Sequence, residues 1–138
     1  MASCLDKYIN YIGIPYKVCG RQGDELDCWG FVIKIYKELY NIILPDYSDI
    51  HTDSTITSAS QALTNTELYQ EGVHIEVPQE GDILLFSVAG NPLHVGIALN
   101  DKTMIHCDRL VGSCIEDYRK LKWIKRLHKI YRHPHFNS

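Results

Sequence analysis

ILLFSVAGNPLHVGIALNDKTMIHCD, running from Ile83 to Asp108, is the stretch on which the fold turns. Ile83 to Val88 is an apolar run of strand length. Ala89-Gly90-Asn91-Pro92 is turn material, Leu93 to Leu99 a second strand, Asn100-Asp101-Lys102 another turn, and Thr103 to Asp108 a third strand. Strands this close together predict antiparallel hairpins. His94 and His106 lie near the ends of the second hairpin, twelve residues apart. A three-residue loop sets Leu99 opposite Thr103 and His94 opposite Asp108, which makes His106 the diagonal neighbour of His94 on one face. An even-length loop puts the two imidazoles on opposite faces unless a bulge corrects the register.

Outward from this core the pattern stays simple. Ser113 to Glu116 reads as a further strand, and Arg126 to Arg132 as one that closes the sheet. Upstream, Pro78 to Asp82 is a turn, His74-Ile75-Glu76-Val77 alternates, and a weaker helix is predicted over Ser58–Tyr69 after a loop from Tyr47 to Thr57. The clearest helix begins after Asp27, a good cap, and carries the stripe Phe31, Val32, Ile35, Tyr36 and Leu39 until about Tyr40. Ser3 is placed to cap a first helix burying Leu5, Tyr8, Ile9 and Ile12, with Gly13 as its stop and a polar loop from Lys17 to Glu25. Helices first and consecutive strands after predict an α+β fold with an antiparallel sheet rather than a βαβ fold.

The 138 residues make one domain, 1–138, with an ordinary globular 45% hydrophobic and 22% charged residues. No apolar run is long enough to span a bilayer, so no membrane insertion is expected. The N-terminal residues lack the pattern of a secretory signal, which predicts synthesis in a cytosol and any export by another route. The net charge of −3 hides an asymmetry: all 17 acidic residues precede Arg119, while residues 119–138 hold seven of the 14 Lys and Arg. A basic solvated edge balancing an acidic body explains this block, and nucleic acid is not an expected partner. Trp123 and Tyr131, the only aromatic residues between Arg119 and Arg132, read as core anchors. Five cysteines without a C-x-x-C pair argue against a disulfide framework or zinc ribbon.

Cys28 follows the cap Asp27 and opens the best helix. Free amides and the helix dipole there favour thiolate, the reactive form of the side chain. A nucleophilic Cys also needs a base, and His94 is placed to be one, with His106 holding its ring. The plain alternative is a packing Cys and ordinary hydrogen-bonded histidines, which is how His51, His74, His128, His133 and His135 are read. Cys28, His94 and His106 are also possible zinc ligands, but neither finger spacing nor an H-E-x-x-H helix accompanies them. No metal and no cofactor is expected.

Four stretches in this order resemble the NlpC/P60 family of papain-like cysteine peptidases. Gly13-Ile14-Pro15-Tyr16 is similar to its G-x-P-Y motif, and Asp27-Cys28-Trp29-Gly30-Phe31-Val32 to its D-C-x-G-[LF]-V motif. Gly81-Asp82-Ile83-Leu84-Leu85-Phe86 with His94-Val95-Gly96-Ile97 resembles its G-D-[IL]-[LV]-x-F and H-V-G-I segments. Met104-Ile105-His106-Cys107 resembles its [FM]-I-H-[AC] strand. The resemblance implies a helix with Cys28 at its N-terminus packed on an antiparallel sheet. It implies Cys28 as nucleophile, His94 as base and His106 as orienting residue, with Tyr16, Asp27 and Trp29 at the oxyanion or substrate. The implied reaction is hydrolysis of amide bonds in peptidoglycan stem peptides, next to D-glutamate. Trp29 stands where many members have Ser, and no Gly-Gly pair precedes the Cys. Trp29-Gly30 and Leu44-Pro45-Asp46-Tyr47 resemble the bacteriophage tail-tip branch.

That branch implies a virion tail protein acting at the host cell wall, with other tail-tip proteins as partners. The lack of an appended wall-binding module fits delivery by such partners. The alternative is a structural tail-assembly protein whose peptidase site is vestigial or processes tail proteins. A weaker third reading is acyl transfer or amide hydrolysis on a lipid or small molecule.

Overall fold

A computed structural model describes residues 6–17, 20, 23–44, 77–88, 91–133 and 136. The helix expected over 58–69, the strand residues 74–76, the tail-branch run 45–47, Cys4 and Cys19 lie outside the described residues. The elements are a 3₁₀ turn (Asp6–Tyr11), helix α1 (Cys28–Leu39), strands β1 (Ile83–Val88), β2 (Asn91–Ala98), β3 (Thr103–Asp108) and β4 (Gly112–Asp117), a short helix α2 (Leu121–Ile124), and β5 (Leu127–Tyr131). The sheet is antiparallel in the order β4-β3-β2-β1-β5. The α+β expectation holds, and the final strand closes the sheet on the free edge of β1.

β1 lacks polar alternation because both sheet faces are covered. On one face Ile83, Leu85, Val95, Ile97, Ile105 and Cys107 pack under α1 and its stripe. On the other, Leu84, Phe86, Ala98 and Met104 meet Tyr118 and Trp123. α1 starts where the sequence predicts: the Asp27 side chain accepts from the Gly30 N–H at 2.7 Å. α1 packs on both β2 and β3.

The basic segment is part of this core. Trp123 and Tyr131 are buried as anchors. Arg132 grips the fully buried Asp82 with two bonds, Nε at 2.9 Å and Nη2 at 2.8 Å.

Two expectations need correction. The first helix is a single 3₁₀ segment that buries Tyr8, while Ile9 and Ile12 are 56% and 47% exposed. Three residues per turn stack side chains at i and i+3, so the stripe that an α-helix draws through Tyr8, Ile9 and Ile12 does not form one face. Asn91 and Pro92, expected in a turn, already pair with β1 as the start of β2, and ahead of the closing strand an unexpected helical turn, α2, seats Trp123. Among the described residues no helix is long and apolar enough to cross a membrane.

Candidate active site

The loop Asn100–Lys102 settles the register on which the histidine reading depended. Leu99 N–H donates to Thr103 O at 2.9 Å, Ala98 pairs with Met104, and Ile97 with Ile105. Asn100 Oδ1 shapes this turn by accepting from the Lys102 and Thr103 amides at 2.8 and 2.9 Å. His94 and His106 therefore share a face, and His94 Nε2 lies 2.8 Å from His106 Nδ1. The register puts Gly96 opposite His106. A Cβ there would stand 3.1 Å from both His106 Cβ and Met104 Sδ, so the missing side chain is what lets the His106 ring lean across to His94. On the other side of His94, the β1 ladder shifts after Phe86, the residue paired with it. Irregularities of this kind re-aim side chains at sheet ends.

The histidine pair continues into residues not predicted from sequence. His106 Nε2 lies 3.0 Å from Glu116 Oε1, and the Trp123 indole N–H donates to Glu116 Oε2 at 2.9 Å. Trp123 also stacks on His94, with ring centroids 5.2 Å apart and planes 25° apart. Lys122 Nζ caps the outer side of that indole, 4.9 Å from its centroid. Burial pushes the Glu116 carboxyl up, but hydrogen bonds from Trp123 and His106 outweigh it and leave the group below its usual range. It is ionised and can only accept.

That fact fixes the direction of the whole chain. His106 donates Nε2–H to Glu116, so its Nδ1 must accept. His94 then donates Nε2–H to His106, and the bare nitrogen of His94 is Nδ1. Burial, with smaller contributions from His106 and Lys122, pushes His94 down to about 3. The His94 ring is neutral at neutral pH and keeps the Nδ1 lone pair.

Cys28 is buried at the first position of α1. Its surroundings are built by the loop before it. Tyr16 bridges to Leu26, with Leu26 N–H donating to Pro15 O and Lys17 N–H to Leu26 O. Cys107 Sγ donates to Leu26 O at 3.4 Å, which ties the residue after His106 to the residue two before Cys28. The start of α1 thus lies beside Cys107 near the end of β3, while His94 and His106 alternate with Val95, Ile105 and Cys107 onto the sheet face that carries Phe86 and Trp123. The Tyr16 phenol is pushed up by burial and then by Cys28 and Asp27 beside it, so it stays a hydrogen-bond donor. Gly13 and Ile14 are strapped to β4 through Ser113: its amide donates to Ile14 O, and its hydroxyl accepts from the Ile14 amide at 2.7 Å.

The structure therefore brings His94 and His106 into contact, and places Cys28, Asp27 and Tyr16 as one electrostatic group. Asp27 caps α1, and Trp29 is fully buried in the core under that helix. Burial pushes Cys107 up to about 12 and Cys114 up to about 11, so both stay thiols at neutral pH. Glu116 was legible in principle: a three-residue turn at Arg109–Val111 pairs Met104 with Glu116 and so sets that side chain diagonal to His106.

A cysteine at the N-terminus of a helix, laid on an antiparallel sheet that bears a histidine pair, defines the papain-like α+β class. The chain belongs to the NlpC/P60 family, which it matches over residues 13–132. It is 25% identical over 128 residues to the Murein DD-endopeptidase MepS/Murein LD-carboxypeptidase of Escherichia coli (strain K12), covering 93% of this chain and 60% of that protein. The chain thus spans less than two-thirds of that relative. It is 27% identical over 134 residues to a probable endopeptidase of Haemophilus influenzae, covering 96% of this chain and 74% of that protein. Among solved structures, an NLP/P60-family protein of Staphylococcus aureus superposes with a TM-score of 0.66 at 24% identity, over 94% of this chain and 40% of that one, a likeness of fold.

Proposed function

We propose that the chain is a cysteine endopeptidase that hydrolyses amide bonds in peptidoglycan stem peptides. The relay Glu116–His106–His94 carries the reading, because it leaves a neutral imidazole with its proton-accepting nitrogen fixed. Cys28 gives its thiol proton to His94 Nδ1 as sulfur bonds to the substrate carbonyl carbon. The Cys28 amide, in a first turn whose N–H groups point out along the helix, and the Tyr16 hydroxyl donate to the oxyanion. Collapse breaks the C–N bond, and His94 returns the proton to the leaving amine. Water then attacks the thioester with His94 as base, releasing the acid and restoring the thiol. His106 holds the His94 tautomer throughout.

The murein activity in the Escherichia coli relative's name supports the substrate class. Cleavage next to D-glutamate rests on the family motifs. The resemblance of Trp29-Gly30 and Leu44-Pro45-Asp46-Tyr47 to the tail-tip branch is what supports reading it as a phage tail protein acting at the host wall, with other tail proteins as partners.

Purified chain incubated with defined muropeptides is expected to release new amines, read by mass spectrometry, and Cys28→Ala is expected to release none. No cleavage by wild type, or equal cleavage by Cys28→Ala, sinks the reading. The tail placement predicts this chain in peptide maps of the purified particles, and its absence from them overturns that part.

A further inference from the structure

We propose that His106, Cys114 and Glu116 form a binding site for a divalent zinc-type cation, and that filling it switches the peptidase off. The switching half rests on the function proposed above, whereas the binding half does not.

The three side chains share one face of the β3–β4 ladder. His106 and Cys114 are directly paired, and Glu116 is diagonal to His106. Their ligand atoms lie within 4.8 Å of one another. The separations are 3.0 Å from His106 Nε2 to Glu116 Oε1, 3.6 Å from Cys114 Sγ to His106 Nε2, and 3.7 Å from Cys114 Sγ to Glu116 Oε1. Zinc bond lengths of about 2.0–2.3 Å at tetrahedral angles require about 3.4 Å between nitrogen and oxygen, and about 3.5 Å from sulfur to either. Each observed separation is within about 0.4 Å of that triangle. The triangle is one face of a coordination tetrahedron, with the fourth position left for water.

Charge and access agree. A thiolate and a carboxylate neutralise a dication, so a filled site is electrically neutral. β4 is an edge strand, and Cys114 and Glu116 are only partly buried, with the Glu116 side chain 24% exposed. An ion can enter there while His106 supplies the buried wall. The outer partners are present as well: the Trp123 indole holds Glu116 Oε2, and His94 faces His106 Nδ1. A metal-bound histidine characteristically donates its other ring N–H to such a neighbour.

The switch follows from proton positions. Without the ion, His106 carries its proton on Nε2 and His94 on Nε2, and His94 Nδ1 is bare. An ion takes the Nε2 lone pair of His106, so that ring carries its proton on Nδ1 and donates to His94 Nε2. His94 then holds its own proton on Nδ1, the atom that must accept from Cys28. Both rings stay neutral. The only proton lost is that of the Cys114 thiol, released to water as the sulfur–metal bond forms. Without the ion, the Cys114 thiol lies beside the relay, donating to Glu116 Oε1 at 3.7 Å, but carries none of the protons that pass between His94 and His106, and a serine hydroxyl can make the same bond.

The test titrates Co²⁺ into the chelator-stripped full chain and then displaces it with Zn²⁺. The expected result is one saturable site with a thiolate-to-cobalt charge-transfer band. Cys114→Ser should remove the band and weaken binding by about tenfold or more, and Cys28→Ala should keep both. Saturating Zn²⁺ should suppress muropeptide cleavage by wild type about tenfold or more, while Cys114→Ser cleaves normally and resists zinc. The site is refuted by absence of saturable binding, by binding retained in Cys114→Ser, or by a band lost in Cys28→Ala, which would put the metal on the nucleophile. The switch is refuted if zinc inhibits Cys114→Ser as it does wild type. If wild type cleaves nothing, the proposed function fails and the cobalt spectra still decide the site.

Discussion

Glu116→Gln is the sharpest probe of the relay. The change is nearly isosteric, and its carbonyl oxygen can still accept from the Trp123 indole, so the fold is kept. What it removes is the acceptor-only end 3.0 Å from His106 Nε2. A glutamine amide can donate there, which lets both imidazoles take the opposite tautomer and moves the proton of His94 onto Nδ1. A charge-assisted hydrogen bond is worth about 1.5–3 kcal/mol, and each 1.36 kcal/mol is tenfold in rate, so kcat should fall about 10- to 100-fold. The partial exposure of Glu116 favours the lower half of that range, because solvent screens its charge. KM should hold, since Glu116 acts on the attacked carbon only through His106, His94 and Cys28. Steady-state kinetics on a muropeptide supply the split between kcat and KM, and nitrogen-15 shifts of the His94 ring report the tautomer directly. A folded Glu116→Gln variant with wild-type kcat and the wild-type His94 tautomer would refute the reasoning.

Three further outcomes follow from the same geometry. His94 is held well below its usual value, so between pH 6.5 and about 3 the unfolded chain binds a proton that the folded chain does not. Stability should therefore fall as pH drops through that window, by about 1.4 kcal/mol per pH unit for this group. Urea midpoints should show it, and His94→Gln should flatten the slope; an unchanged slope in that variant contradicts the assignment. Gly96→Ala puts a methyl 3.1 Å from His106 Cβ and Met104 Sδ, at a cost of about 1–3 kcal/mol in thermal or urea melts, and should lower kcat by displacing the His106 ring. A Gly96→Ala protein with normal kcat removes the claim that the glycine makes room for the relay. Asp27→Ala strips the cap from α1 and should cost about 1 kcal/mol in urea unfolding, and no loss would mean that another group satisfies the Gly30 amide.

The sheet and the helix bearing Cys28 were legible because their signals are local. Asp27 before an apolar stripe marks a helix start, and Asn100-Asp101-Lys102 fixes a hairpin register that carries two histidines onto one face. The first helix misled because Ile9 and Ile12 fit the 3.6-residue period, while the chain there winds at three residues per turn. Glu116 and Trp123 escaped for another reason. A glutamate in a short strand is ordinarily a solvated side chain, and only its diagonal position relative to His106 makes it a proton acceptor. Trp123 was read as a core anchor, which it is, but nothing in the order of residues says that its core neighbour is His94. Residues far apart in sequence acquire such roles only through packing.

The roof over His94 has a consequence for the timing of synthesis. Trp123 stacks on that ring and holds Glu116, and β5, which follows it, closes on the free edge of β1. A ribosome makes Cys28, His94 and His106 well before it makes either element. Until residue 131 has emerged, the relay lacks its cover and β1 lacks its outer partner. The proposed site is therefore completed only near the end of the stretch that matches the family, and an unfinished chain carries Cys28 without the covered relay.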